Sequence, residues 1–132
     1  MKSIDVVAAI IHHDGKILAT QRGHGEFAGG WEFPGGKIEP GETPEQATVR
    51  EIEEELDATV AVGDLLTVVD YDYPTFHLHM YCFLAQVVQG RIELHEHSDA
   101  AWLDADNIDS VDWLPADIDV VKAIKSQGVL AS

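Results

Sequence analysis

The sequence predicts one α/β domain, in which helices pack against a β-sheet. Apolar runs of strand length are interleaved with two segments whose apolar residues recur at helical spacing. The chain of 132 residues has the length of one domain, and neither a linker nor an internal repeat divides it. We therefore treat residues 1–132 as a single unit.

The first third of the chain predicts a β-hairpin followed by a loop. Ile4–His12 and Ile17–Gln21 are rich in apolar residues, and His13-Asp14-Gly15-Lys16 between them is a tight-turn sequence. Residues 23–30 are rich in glycine and predict an irregular loop. Trp31–Phe33 predicts a short extended piece that ends at Pro34-Gly35-Gly36.

A helix is predicted from Thr43 to about Leu56. Thr43 can cap it, Pro44 suits the first helical position, and Gln46 completes a capping box. Val49, Ile52 and Leu56 form the apolar stripe that this helix would bury.

The remainder predicts three longer strands, one short strand and a second helix. The strands are Ala58–Val62, Leu65–Tyr71, Phe76–Val88 and Ala101–Leu103. The second helix follows Leu114-Pro115, with Val120, Val121 and Ile124 facing inward.

The formal net charge of −16 excludes some partners. A nucleic-acid backbone needs a basic face, so we expect no direct binding of polynucleotides. A polyanionic small molecule would need metal cations between it and the protein. No segment approaches the roughly 20 apolar residues of a membrane span. The single cysteine, Cys82, allows no internal disulfide, and we expect it in the core of a cytoplasmic protein.

Three glutamates of the first helix share one face, because Glu51, Glu54 and Glu55 are three and four residues apart. Like charges at this spacing destabilise a helix by about 0.2–0.5 kcal/mol per pair. Such a face is either solvated, with Arg50 pairing to Glu54, or it binds a hard cation. Magnesium shares its coordination shell with substrate phosphates, but a calcium site fits the helix equally well.

A wider pattern around this helix carries a resemblance that favours a metal site. The chain has Gly36, then five residues, Glu42, then seven residues, and then Arg50-Glu51-Ile52-Glu53-Glu54-Glu55. Over about residues 36–58 this pattern resembles the signature of the Nudix hydrolases. Residues 31–39 and 41–47 are similar to the MutT-like subgroup, and the likeness extends over nearly the whole chain. The family usually has glycine where this chain has Asp57, so we expect a slightly strained or frayed helix end in the left-handed conformation.

The resemblance implies an α/β/α sandwich around a mixed sheet and a Mg²⁺-dependent enzyme, with Mn²⁺ as a substitute metal. The implied reaction is hydrolysis of a nucleoside triphosphate, intact or oxidised, to the monophosphate and pyrophosphate. Substrates of the subgroup are 8-oxo-dGTP or (d)CTP, and the role is sanitation of the nucleotide pool, which protects DNA. The protein would act on small molecules as a monomer or homodimer.

The resemblance also implies the site residues. The metal ligands would be the Gly35 and Gly36 backbone together with the carboxylates of Glu51, Glu54, Glu55 and Glu96. Arg50 and Glu42 would hold this arrangement, while the general base stays open among Glu51, Glu54 and Glu96. Arg22, Glu32, Phe33 and Asp117 would bind substrate, with Arg22 on the phosphates, Phe33 stacked on the base and Asp117 at the base edge. The subgroup's namesake has Asn at that last position, so the preferred base stays open.

Two other functions remain. One is hydrolysis of a nucleotide sugar or a dinucleotide, and the other is a non-catalytic module that senses a nucleotide. His77 and His79 share a strand face, where we expect a structural or wall role. We expect Trp102 and Trp113 to be packing residues.

Overall fold

The computed structural model describes residues 2–93 and 97–130. Its strands are β1 (Lys2–His13), β2 (Lys16–Arg22), β3 (Trp31–Glu32), β4 (Gly35–Lys37), β5 (Ala58–Tyr73), β6 (Phe76–Gly90) and β7 (His97–Leu103). The helices are α1 (Pro44–Leu56) and α2 (Pro115–Ser126), with a short 3₁₀ turn at Ile108–Ser110. Within the described residues, no helix has both the length and the apolar character that crossing a bilayer requires.

The strands form a mixed sheet with β1 at its centre. β1 runs parallel to β6, with Ala8 opposite Cys82, and antiparallel to β4, with Val7 opposite Gly36. β5 extends the sheet beyond β6, while β3 and β7 both pair with β2. The hairpin between β1 and β2 turns at Asp14 and Gly15, which have φ of 51° and 75°, as the turn sequence predicted.

One helix covers each face of the sheet, so the predicted α/β/α fold is confirmed. On the first face, Ile52 and Leu56 of α1 pack against Ala9, Ile11 and Leu18. On the second face, α2 residues pack against Ala8 and Ile10. Burial of each large aliphatic side chain contributes about 1.5–3 kcal/mol. The inward residues predicted for α2, which are Val120, Val121 and Ile124, are all buried, and so is Cys82.

Some predicted boundaries were wrong. The two strands predicted on either side of Gly63 are one strand, β5, because shifts of register near Gly63 accommodate the extra residues and let pairing with β6 continue. The segment after Pro34 is not only a turn, since Gly35–Lys37 pairs with β1. β7 begins at His97 rather than Ala101 because β2 offers a partner as far as Arg22.

Candidate active site

Helix α1 begins and ends as its sequence indicates. The Gln46 N–H donates to Thr43 Oγ1 at 3.1 Å and the Thr43 N–H donates to Gln46 Oε1 at 3.0 Å, which completes the capping box. At the other end, Asp57 has φ 55° and ψ 26°, and its N–H donates to the Glu53 carbonyl at 3.2 Å. The left-handed conformation expected of Asp57 is therefore present. The helix end is closed by this hydrogen bond and is not frayed.

Arg50 connects the acidic face of α1 to the loop before the helix. Its guanidinium donates two hydrogen bonds to Glu42, at 2.6 and 2.9 Å, and one to the Lys37 carbonyl at 2.9 Å. The same group donates to Glu51 at 2.9 Å and to Glu54 at 3.1 Å. The bidentate contact holds the pKa of Glu42 below its usual range. Arg50 thus fixes the side chain of Glu51 from one side.

Gly36 leaves the space that the Glu51 carboxylate occupies. A Cβ atom at Gly36 would lie 2.3 Å from Glu51 Oε2 and 2.4 Å from its Cδ. The neighbouring Gly35 is also required, since a Cβ there would lie 1.9 Å from the Val7 carbonyl oxygen. Glycine at both positions therefore lets β4 lie between β1 and the acidic face of α1.

Glu55 lies beside Glu51 in a largely buried position. Burial raises the pKa of Glu55 to about 9, and the charge of Glu51 and a hydrogen bond with it add to the rise. The Gly35 N–H, which donates to Glu55, acts in the opposite direction. Two adjacent carboxyl groups that hold a proton at neutral pH are a place where a cation would replace that proton.

The residues present fit a hard divalent cation with few protein ligands. Among the described residues, no three His, Cys, Asp or Glu side chains are grouped so that they would hold a metal ion by themselves. Glu54 points to Arg50, with 60% of its side chain exposed. Magnesium is usually held by one or two carboxylates together with substrate phosphates, and Glu51 and Glu55 meet that need. The ligand roles of Glu51, Glu54, Glu55, Gly35 and Gly36 all stay predictions, and Glu96 lies outside the described residues.

Arg22 and Glu32 face each other on the neighbouring strands β2 and β3. Arg22 donates from Nε to Glu32 Oε2 at 3.0 Å and from Nη2 to Oε1 at 2.5 Å. This paired contact raises the pKa of Arg22. Both residues line a cavity of about 260 Å³ that also reaches Glu55 and Gly35. The predicted phosphate-binding arginine therefore lies on the cavity that Glu55 opens into.

Phe33 and Asp117 lie on a second cavity, of about 130 Å³, which shares Arg22, Glu32 and Gly35 with the first. The Phe33 N–H donates to Asp117 Oδ1 at 3.1 Å. The Phe33 ring is buried and stacks on Trp113 at a centroid distance of 4.6 Å. The structure thus brings together the four substrate-binding residues that the resemblance implied, although they lie up to 95 positions apart in the sequence.

Asp117 is almost fully buried at the start of α2. Burial raises its pKa to about 8; the Phe33 N–H and the charge of Arg22 oppose the rise, and the charge of Glu32 adds to it. The first turn of α2 is placed by a bridge between the Trp31 and Trp113 backbones, in which the Leu114 N–H donates to the Trp31 carbonyl at 2.8 Å. The same segment that supplies Phe33 therefore positions Asp117.

Sequence reasoning missed three aromatic residues of this cavity, which are Phe27, Tyr73 and Phe76. The Ala116 N–H donates to the Tyr73 hydroxyl at 3.2 Å, and the Phe27 ring packs on Tyr73 with centroids 5.1 Å apart. Tyr71 and Tyr73 alternate along β5 and so share one face of the sheet, but the strand predicted from the sequence ended at Tyr71. Nothing local indicated which residues these side chains would meet.

Comparison with known proteins identifies the family. The family model of the NUDIX domain matches residues 1–123 of this chain. The chain belongs to the NUDIX domain family. It is 39% identical over 124 residues to the CTP pyrophosphohydrolase of Escherichia coli strain K12, covering 93% of this chain and 92% of that protein. It is 33% identical over 127 residues to the 8-oxo-dGTP diphosphatase of the same organism, covering 95% and 98%.

The Nudix fold is also shared with solved structures. The solution structure of the E. coli ORF135 protein matches with a TM-score of 0.84 and 36% identity, covering 99% of this chain and 94% of that one. The predicted family, its MutT-like character and its enzyme class, a Nudix pyrophosphohydrolase, are therefore confirmed.

The two histidines and two tryptophans named from the sequence lie away from the acidic face of α1. His77 and His79 share a face of β6, and each has a ring nitrogen within 2.9 Å of Asp70 Oδ1 on β5. Trp113 is buried and its Nε1–H donates to the Ile108 carbonyl at 2.7 Å, so its packing role is confirmed. Trp102 is 40% exposed on β7 and lies beside His13, with ring centroids 6.3 Å apart, so it is outside the core and its packing role stays a prediction.

Proposed function

We propose that the protein hydrolyses a nucleoside triphosphate, intact or oxidised, to the nucleoside monophosphate and pyrophosphate, using Mg²⁺. The observation that carries this proposal is the pair of adjoining cavities. One is lined by Phe33 and Asp117, an aromatic ring and a carboxyl group that would meet the face and the edge of a base. The other is lined by Arg22 and Glu55 and suits phosphates bound together with a cation.

In this arrangement Glu51 and Glu55 would hold the divalent cation, with its remaining ligands supplied by water and phosphate oxygens. A bound Mg²⁺ would neutralise part of the diphosphate charge and lower the pKa of an attacking water. Arg50 keeps the Glu51 carboxylate in place through its bonds to Glu42 and the Lys37 carbonyl. The roles of Glu54 and Glu96 as ligand or general base belong to the same proposal.

Arg22 can bind a phosphate oxygen without releasing Glu32. Its guanidinium has five N–H donors, of which two bond Glu32 and one bonds the Glu26 carbonyl. Phe33 presents an aromatic surface to the base, and Asp117 presents a carboxyl group to its edge. Below its pKa of about 8 that carboxyl both donates and accepts hydrogen bonds.

Substrates of the type named for the relatives, CTP or 8-oxo-dGTP, fit this proposal. The biological role would be control or sanitation of the cytoplasmic nucleotide pool by a monomer or homodimer. The net charge of −16 supports free nucleotides rather than nucleic acid as substrate.

The proposal is tested with the full chain, Mg²⁺ and a panel of CTP, dCTP, 5-methyl-dCTP, dGTP and 8-oxo-dGTP, together with a nucleotide sugar and a dinucleotide. We expect pyrophosphate and a monophosphate from at least one triphosphate, and loss of both when EDTA removes the metal. Orthophosphate as the product would contradict the proposed site of cleavage. Products from the nucleotide sugar or dinucleotide alone would favour that second enzyme class, and binding with no product would favour a sensor.

Variants test the acidic pair. We expect Glu51→Gln and Glu55→Gln each to lower kcat by orders of magnitude while the thermal melt stays nearly unchanged, since each amide keeps the shape of the carboxyl group. Glu53→Gln is the matched control, because Glu53 is exposed on the same helix. Near-normal rates in both site variants would refute their role as metal ligands.

A further inference from the structure

The loop at residues 23–30 turns one large side chain inward. His24, Gly25 and Glu26 are exposed, and so are Ala28 and Gly29, whereas Phe27 between them is half-buried. Phe27 has φ 68°, a left-handed conformation that a bulky side chain rarely adopts. Such conformations persist where the surrounding structure holds them, and they concentrate at functional sites.

The loop is closed by its own backbone. The Gly29 N–H donates to the Arg22 carbonyl and the Arg22 N–H donates to the Gly30 carbonyl, both at 2.9 Å. The Gly30 N–H donates to the Phe27 carbonyl at 3.0 Å. A Cβ at Gly30 would lie 2.2 Å from Leu114 Cδ2, so the base of the loop is seated against the segment before α2. These contacts fix the position of Phe27 relative to the substrate-binding residues.

The inward ring joins an aromatic wall of the smaller cavity. Phe27 packs on Tyr73 at 5.1 Å, and Tyr73 stacks on Phe76 at 5.0 Å. All three line the cavity that holds Phe33 and Asp117. Tyr73 also accepts the hydrogen bond from the Ala116 N–H, directly before Asp117. The wall is therefore continuous with the residue proposed to meet the base edge.

We propose that Phe27 is a specificity-determining residue, whose ring contacts the nucleotide base and limits the size of base that the cavity accepts. This inference rests on the proposed function, because it assigns the cavity to the base of a nucleotide. Phe27 lies on the base cavity and not among the residues that line the cavity of Glu55. Its removal should therefore change which base is bound, with little effect on the chemical step.

The test measures binding of two nucleoside monophosphates that differ in the size of the base, CMP and GMP, by calorimetry in Mg²⁺ to the wild type, Phe27→Ala and Phe27→Leu. Loss of an aromatic contact weakens binding by about two- to tenfold. Because the wall recedes, we expect the ratio of the CMP Kd to the GMP Kd to rise at least about threefold in Phe27→Ala, with a smaller change in Phe27→Leu. Ala28→Ser is the matched control, since Ala28 is the exposed neighbour in the same loop and lines neither cavity.

Steady-state kinetics on the best triphosphate give an independent readout. We expect Phe27→Ala to raise KM while kcat stays within about twofold, because the ring does not lie at the reacting phosphates. An unchanged Kd ratio, or a shift towards the smaller base, would overturn the inference. If Phe27→Ala does not fold, the same comparison is decided by Phe27→Leu.

Binding also separates the two proposals. If the wild type binds CMP or GMP but releases no pyrophosphate from any triphosphate, the proposed function fails, and the Kd ratio still decides the role of Phe27. If the wild type releases pyrophosphate and the ratio is unchanged, only the role of Phe27 fails. Binding of neither monophosphate would overturn the assignment of Phe27 to a base cavity.

Discussion

Replacement of Gly36 by alanine should lower the rate of catalysis while it leaves the stability of the fold nearly unchanged. The added Cβ would lie 2.3 Å from Glu51 Oε2, whereas ordinary contact begins at 3.4 Å, so the carboxylate must move by roughly 1 Å (3.4 − 2.3 = 1.1). A displacement of about 1 Å at a catalytic group can cost about 100-fold in rate. We therefore expect kcat for pyrophosphate release to fall about 100-fold.

The same change should cost little stability, because the atoms that must move are the end of a flexible side chain. Alanine restricts the unfolded chain, which favours folding by about 0.4–1 kcal/mol, and this offsets part of a weakened Arg50–Glu51 hydrogen bond. We expect the free energy of unfolding in urea to change by less than about 1 kcal/mol.

Two other glycine replacements complete the experiment. At Gly35 the obstacle is the Val7 backbone carbonyl, 1.9 Å from the new Cβ, so Gly35→Ala should lower stability by at least about 2 kcal/mol. At Gly63 the nearest atom, the Leu84 carbonyl oxygen, is 3.3 Å away on strands remote from the site, so Gly63→Ala should keep kcat. Wild-type turnover in Gly36→Ala, or a stability loss equal to that of Gly35→Ala, would refute this reasoning.

Two further predictions concern α2 and α1. The pKa of Asp117 is raised from 3.8 to about 8 on folding, so its contribution to stability is fully present below about pH 3.8 and is lost as the pH rises to about 8. In urea titrations, the free energy of unfolding of Asp117→Asn relative to that of the wild type should therefore increase from pH 5 to pH 8.5. If the two free energies change with pH in parallel, the raised pKa of Asp117 is contradicted. Thr43→Ala removes the side-chain cap of α1 and should lower the free energy of unfolding by about 1 kcal/mol, with kcat unchanged. An unchanged urea midpoint in Thr43→Ala would contradict that role, and Ser126→Ala at the end of α2 is its control.

Local signals predicted the elements whose causes are local. The helix over Pro44–Leu56 follows from a complete capping box and an apolar stripe, and both act within a few residues. The hairpin turn at Asp14-Gly15 follows from residues that tolerate positive φ. By contrast, the pairing of Gly35–Lys37 and the length of β7 depend on which strand edge is available, and a local sequence does not contain that information.

The residues of the site fall into the same two groups, those predicted from local sequence and those brought together only by packing. Spacing along the sequence determined the acidic face of α1 and placed Arg50 beside it. The resemblance of the pattern from Gly36 to Glu55 to the Nudix signature then indicated the family. Helix spacing also offered the pair of Arg50 and Glu54, which the structure contains. The tertiary structure alone decided that Glu51 and Glu55 lie together against Gly36 and Gly35. It also decided that Phe27 and Tyr73 join Asp117 at one cavity. Spacing along a helix fixes which side chains share a face, whereas contacts between distant segments arise only when the sheet and both helices pack together.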